Sequence, residues 1–312
     1  MDPPGTGPDP PRGEGRGAAG VPHLAGGTGS DRVRYAICNE LFEGWEFART
    51  CDFVAGLGYT GIELAPFTFA PDGVGGADAA ARAAIRRQAA DAGVEIVGLH
   101  WLLVGPEGLH LTSPDAAVRR RTAGYLVELT ECCADLGGTV LVLGSPKQRN
   151  LVAGVDAQLG MRLAAECLAP AVERAASLGV RWCLEPLPAP ETNFLTTLDQ
   201  ALALDLLLGG GPALGVQLDV KSLCAEADAP TQPGPVILAH ADRVDRFGHC
   251  HANDRNRRGP GMGDVAFEPV FTALRAVGYR GWMSVEVFDF TGGAEEIARA
   301  SIRYLEAASG KA

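Results

Sequence analysis

Eight short apolar runs, each followed by a helical pattern, succeed one another from Arg32 to the end of the chain. This alternation constrains the fold more than any other feature. The runs are RYAICNELF, GIELAPF, VEIVGLHWLL, TVLVLG, RWCLEPL, ALGVQLDV, RFGHCHA and WMSVEVF. Short stretches rich in β-branched and aliphatic residues, bounded by turn signals, read as buried strands. Helical segments are expected over residues 45–55, 79–92, 113–136, 156–178, 196–208, 232–241, 267–277 and 294–308. Asp78 is the expected N-cap of the second segment, and Ser113 caps the third with Pro114 at its first position. Pro170 is expected to interrupt the fourth.

Such alternation implies parallel strands joined by helical crossovers, hence the α/β class. Eight units in about 280 residues suit a closed (β/α)8 TIM barrel, whose usual length is around 250 residues. A doubly wound open sheet is the competitor. It usually carries a Gly-rich phosphate loop after its first strand, and NELFEGWEF is no such loop. The expectation is therefore one barrel domain over residues 31–312, preceded by a disordered tail over residues 1–30. That tail is rich in Gly and Pro, lacks an apolar signal-peptide core, and cannot bury enough surface to offset its ordering entropy.

The chain has 312 residues, 46% hydrophobic and 21% charged, and a formal net charge of −11. No run approaches the roughly 20 apolar residues a spanning helix needs, so no membrane span is expected. A DNA-backbone binder would show a basic stripe or cationic balance, and neither is present, so nucleic acid is not an expected partner. The eight cysteines form no C-x-x-C pair and sit inside apolar segments. They read as small buried hydrophobes in a reducing compartment, and the expected location is cytoplasmic.

Four runs end on a potential metal ligand: Glu185, Asp219, His251 and Glu286. Carboxylates and imidazoles are rarely placed in apolar surroundings unless something compensates their desolvation. Each has a plainer reading: a strand-end salt bridge for Glu185, a helix N-cap for Asp219, a satisfied core histidine for His251. Glu286, flanked by apolar residues on both sides, is harder to explain without a partner. Jointly, at the ends of strands five to eight, they point to one bound cation. Three carboxylates and an imidazole favour Mn²⁺ first, with Mg²⁺ and Co²⁺ also compatible. Strand alternation puts His249 and His251 on one face, with His249 behind the ligand set rather than in it.

Around this set, Glu191 could bond substrate hydroxyls or cap the helix that follows. His100 and Trp101 could wall a sugar ring, or Trp101 could be core. Arg257 lies on a glycine-rich loop expected over the barrel mouth. Lys147 and Arg149 could meet an anionic group, with solvation the plainer fate.

In these residues the chain resembles the xylose-isomerase-like superfamily of TIM barrels, especially the sugar phosphate isomerase/epimerase group that includes ketose 3-epimerases. The segments LEPLPAPETNFL, LGVQLDVKSL, HCHANDRNRRGPGMGDVAFEPVFTAL and GWMSVEVFDF carry the likeness, which spans nearly all of residues 32–308. The resemblance implies that Glu185, Asp219, His251 and Glu286 bind a divalent cation and that the two glutamates act as acid and base. It implies that Glu191 and Arg257 contact substrate oxygens. One position departs: ketose 3-epimerases usually have a histidine three residues after the strand-six aspartate, where this chain has Ser222, a shorter hydrogen-bonding group.

The activity implied is isomerisation or epimerisation of a sugar or keto-sugar, by proton transfer beside the ketose carbonyl through a metal-bound enediolate. A lyase of the same superfamily, dehydrating an inosose or cleaving a keto-glycoside, is the alternative. An endonuclease-IV-type phosphodiesterase fits less well, since it needs more histidines, including an Asp-x-His after strand seven. Homodimers and homotetramers are common in similar families.

Overall fold

The eight apolar runs become the strands β1 (Arg34–Cys38), β2 (Gly61–Leu64), β3 (Glu95–Leu99), β4 (Val140–Leu143), β5 (Arg181–Leu184), β6 (Leu214–Asp219), β7 (Phe247–Ala252) and β8 (Trp282–Val285). Each pairs in parallel with the next, and β8 pairs with β1, so the sheet closes on itself. These elements belong to a computed structural model describing residues 33–310; the disordered tail expected over residues 1–30 lies outside the described residues. Helices fill the crossovers: α1 (Phe47–Leu57), α2 (Ala79–Asp91), α3 (Ala116–Leu136), α4 (Ala157–Leu178), α5 (Leu198–Leu207), α6 (Val220–Glu226), α7 (Gly234–Ala239), α8 (Phe267–Ala276) and α9 (Ala294–Ala308). The fold is the expected (β/α)8 TIM barrel.

Strand alternation sorts the side chains into two populations. Outward residues such as Ile37, Ile62, Leu184 and Leu218 pack against the helices in one large core. Ala36, Val97, Val140, Val142, Cys183 and Trp282 form a separate apolar cluster. Two residues on from Cys183 stands Glu185, and two on from Trp282 stands Ser284, then Glu286. Along these strands the same face thus passes from apolar to polar towards the C-terminal end. There a barrel sheet meets its βα loops, where TIM-barrel chemistry sits.

Several boundaries differ from the sequence expectation. β1 stops at Cys38 and the chain turns into a short 3₁₀ segment, Asn39–Phe42. The Asn39 side chain accepts from the Ala65 amide and donates to the Thr68 hydroxyl, tying this turn to the end of β2. The cap of α3 is Asp115, which accepts from the Ala117 amide, not Ser113. Pro114 therefore precedes the helix. Nor does Pro170 interrupt α4, which runs unbroken. Its neighbours Cys167, Leu168 and Ala171 are buried, and that packing outweighs one missing backbone hydrogen bond. A helix the sequence reading did not place, α6, starts directly after Asp219. All eight cysteines are free and buried, the fate expected of small hydrophobes. Among the described residues no helix is long and apolar enough to cross a membrane.

Candidate active site

At the C-terminal ends of β5 to β8 the four expected ligands converge. Glu185 follows β5 directly, Asp219 closes β6, His251 lies near the end of β7, and Glu286 follows β8. One donor atom from each lies within 4.8 Å of those of the other three, and all four side chains are buried. Register brings this about: Asp219 is the cross-strand partner of His251, and His251 that of Ser284, two residues before Glu286.

His251 shows how the set is oriented. Its Nε2 lies 3.2 Å from Glu63 Oε1, while Nδ1 lies 3.1 Å from Glu286 Oε2 and 3.8 Å from Glu185 Oε1. Nε2 thus faces Glu63 and Nδ1 faces the carboxylates; were a cation to displace the proton from Nδ1, Glu63 would fix the ring from behind as a second carboxylate does for a metal-binding histidine. Glu63 sits in the middle of β2 with no exposed surface, and its Oε2 lies 2.7 Å from His249 Nε2. Burial alone would raise its pKa, but His249 and His251 outweigh burial and hold the carboxyl well below the usual range. His249 is not among the four converging residues and meets Glu63 instead.

Asp219 does two things at once. One oxygen accepts from the Ser222 amide as the N-cap of α6, and the other accepts from Asn253 Nδ2 at 2.6 Å. The N-cap reading of this residue from sequence is thus observed, while Asp219 also stays within the group of four converging donors. Asn253 also donates to Glu286 at 3.4 Å and accepts from the Lys221 amide at 2.9 Å, joining β6, β7 and β8.

The electrostatics follow from crowding. Burial first, then repulsion from Glu286 and Asp219, raises Glu185 to about 7. Burial opposes charge on His251, yet the carboxylates of Glu286 and Glu63 lift its pKa well above the usual value. A field that draws a proton so strongly also draws a dication. The donor set, hard oxygens with one imidazole on buried residues, suits Mn²⁺ or Mg²⁺, with Co²⁺ compatible.

Glu185 and Glu286 open onto a cavity of about 450 Å³, whose wall includes His100, Trp101, Lys147, Glu191 and Arg257. Trp101 donates its indole N–H to Glu286 Oε1 at 3.2 Å and holds a left-handed backbone (φ 53°). It is partly exposed at the cavity rather than core. His100 Nε2 is 2.8 Å from Glu40 Oε2. Burial works against its charge, but Glu40 more than compensates and brings its pKa to about 9. Arg257 is exposed and also left-handed (φ 69°), with its carbonyl accepting from the Phe288 and Asp289 amides. Its guanidinium lies 5.4 Å from the Phe288 ring centroid.

Glu191 caps no helix; it accepts from Lys221 Nζ at 2.6 Å. Ser222 turns its amide to Asp219, while its hydroxyl is buried with no hydrogen-bond partner among the described residues and does not line the cavity. Lys147 is exposed at the cavity, as a solvated loop residue would be. Arg149 is not solvated: it is buried and donates to the Glu185 carbonyl at 2.6 Å and to that of Leu143. Gly144 is equally constrained, because a Cβ there would collide with the Glu185 carboxylate.

Sequence reasoning missed Glu40, Glu63, Asn253 and Lys221. For Glu63 a signal existed, since an acid inside GIELAPF is as anomalous as Glu286 in its own run.

Comparison with known proteins agrees with the barrel fold. A ketose 3-epimerase of Arthrobacter globiformis is 30% identical over 192 residues, which are 61% of this chain and 63% of that protein. An L-ribulose 3-epimerase of Mesorhizobium japonicum is 32% identical over 181 residues, 57% of this chain and 58% of that protein. The chain thus matches less than two thirds of the length of either curated relative. The crystal structure of a D-psicose 3-epimerase in the presence of D-fructose aligns with a TM-score of 0.73 at 23% identity, covering 89% of this chain and 100% of that one. A 3-keto-D-glucoside 4-epimerase from E. coli in its apo form aligns with a TM-score of 0.75 at 17% identity, covering 88% and 100%. At such identities the likeness establishes the fold. Residues 51–308 match the xylose isomerase-like TIM barrel family, and the chain belongs to that family.

Proposed function

We propose that this protein is a divalent-metal-dependent sugar epimerase or isomerase that moves a proton at the carbon beside a ketose carbonyl. One observation carries this reading: the donor atoms of Glu185, Asp219, His251 and Glu286 lie within 4.8 Å of one another, and both glutamates also line a sugar-sized cavity. The ketose 3-epimerases among its relatives support it.

The four residues would hold the cation, with Mn²⁺ preferred and Mg²⁺ or Co²⁺ compatible. When bound, it would supply Lewis-acid stabilisation of the negative charge that develops on substrate oxygen.

Glu185 and Glu286 are the proton carriers. One accepts the proton as the C–H bond breaks and its electron pair passes to the carbonyl. The other returns a proton, to the opposite face in an epimerase or to the adjacent carbon in an isomerase. Trp101 holds the Glu286 carboxylate in place through its indole N–H, and His251 faces both carboxylates. Glu191 and Arg257 bond substrate hydroxyls, and the wall formed by Trp101 and Phe288 excludes water from the reacting carbon. Arg149, gripping the Glu185 carbonyl, fixes the backbone from which that carboxylate reaches.

The test is exchange in D₂O. Chelator-treated protein supplied with Mn²⁺ is incubated with D-fructose, D-psicose and L-ribulose, and the products are read by NMR. Deuterium at the carbon next to the carbonyl, with the epimer or the isomeric aldose accumulating, is expected. No exchange into any ketose or keto-sugar would defeat the reading.

A further inference from the structure

A second cavity, of about 570 Å³, adjoins the first. The two share Trp101, Arg257 and Phe288 in their walls, with the Trp101 and Phe288 rings 5.9 Å apart. A monosaccharide bound against Glu185 and Glu286 leaves this second space unfilled.

Its chemistry indicates what fills it. Phe42, Trp45, Phe47, Phe67 and Phe69 contribute aromatic walls, and Leu64 and Ile85 add aliphatic ones. The polar side chains around it are largely engaged elsewhere. Asn39 is bonded to Ala65 and Thr68, Thr68 donates to the Ala65 carbonyl, and Thr50 donates to the Glu46 carbonyl. Glu40 is held by His100. Glu43 and Arg257 are exposed to water. A second sugar ring would bring several hydroxyls into this space, and each hydroxyl buried without a partner is costly. An apolar ring asks for no such partners and gains from aromatic contact.

We propose that the second cavity is a subsite for an apolar aromatic substituent, and that a keto-sugar carrying such a group is bound in preference to a free ketose. The inference rests on the proton-transfer reading above, which places the reacting sugar in the first cavity. The substituent passes the Trp101–Phe288 pair at the shared wall and lies among the phenylalanines of the β1 and β2 loops.

The experiment is calorimetric binding to the Mn²⁺-supplied full chain, using the methyl and phenyl β-glycosides of 3-keto-D-glucose as a matched pair. The phenyl compound is expected to bind at least about tenfold more tightly, from the apolar area it buries. Ile85 lines only the second cavity, so Ile85→Trp fills that space from outside the reaction centre. It should abolish the phenyl advantage and leave methyl affinity unchanged. Thr50→Phe, placed on another wall, should act in the same direction, and methyl binding reports that each variant is folded. Equal affinity for the two glycosides would overturn the subsite alone, as would a phenyl preference that survives both variants. Failure of both compounds to bind would instead remove the underlying reading together with the subsite.

Discussion

Lys221 Nζ lies 2.6 Å from Glu191 Oε1, and the two partners differ sharply in exposure: the lysine side chain is 6% exposed, the glutamate 35%. Burial disfavours the ammonium, but Asp219 and Glu191 together keep its pKa above the usual value. The pair is therefore asymmetric. A glutamate left alone can turn to water, whereas a buried ammonium left alone cannot. Glu191→Ala is expected to destabilise the fold by about 1–2 kcal/mol more than Lys221→Met, since an uncompensated buried charge is the larger penalty. Urea unfolding of the two variants decides it, and the reverse order would show that the lysine reaches solvent.

Glu185→Gln and Glu286→Gln should each lower deuterium wash-in to a ketose by about 10²–10⁴-fold, the range for losing a positioned acid or base. Both replacements also remove a charged donor from the cluster, so Mn²⁺ affinity should be measured alongside. Wash-in near the native rate for either variant, at saturating Mn²⁺, would remove that residue from the proton path.

Trp101 separates packing from hydrogen bonding. Trp101→Phe keeps a ring against Phe67 and Phe288 but deletes the donor to Glu286 Oε1. A hydrogen bond to a charged group contributes about 1.5–3 kcal/mol, so kcat is expected to fall at least about tenfold. KM should change much less if the ring continues to form the wall. A change confined to KM would mean that the indole N–H has no part in holding the carboxylate.

The barrel and the four side chains that converge at its mouth were legible in the sequence because their signals are local. Eight apolar runs with turn signals, and a charged residue closing four of them, need no knowledge of partners. Glu40, Glu63, Asn253 and Lys221 escaped because each is defined by a residue distant in sequence: Glu63 by His249 and His251, Glu40 by His100, Lys221 by Glu191. Arg149 was read as solvated because nothing local reveals that its guanidinium turns inward to the Glu185 carbonyl. Pro170 misled for a related reason: its local cost is real, but α4 packs along α3 and its buried residues keep the helix whole. Periodicity locates strands and helices, while strand register and loop packing decide which side chains meet.

Gly144 offers a test of how much the site depends on close approach. Its backbone is not in the left-handed region, so alanine is conformationally acceptable there. The only obstacle is the Glu185 carboxylate, which a Cβ would displace. Gly144→Ala should leave the far-UV circular dichroism spectrum unchanged while weakening Mn²⁺ binding by at least about tenfold, through misplacement of one ligand. Unaltered Mn²⁺ affinity would mean that Glu185 has another rotamer from which it still reaches the cation.

The His100–Glu40 pair predicts a pH dependence of stability with a definite sign. Burial lowers the pKa of His100, but Glu40, with smaller help from Glu63 and Glu286, raises it from 6.5 to about 9. A folded pKa above the unfolded one means that the native state holds the proton more tightly. The resulting stabilisation is fully present below pH 6.5 and is lost as the pH rises through about 9. The interval corresponds to about 3 kcal/mol at 1.36 kcal/mol per pKa unit. Urea unfolding in the presence of chelator, at pH 6 and at pH 9.5, should show a fall of that order for the native chain. Glu40→Gln removes the main source of the lift and should flatten the difference. If the variant loses as much stability over that interval as the native chain, the Glu40 carboxylate does not hold the proton on His100.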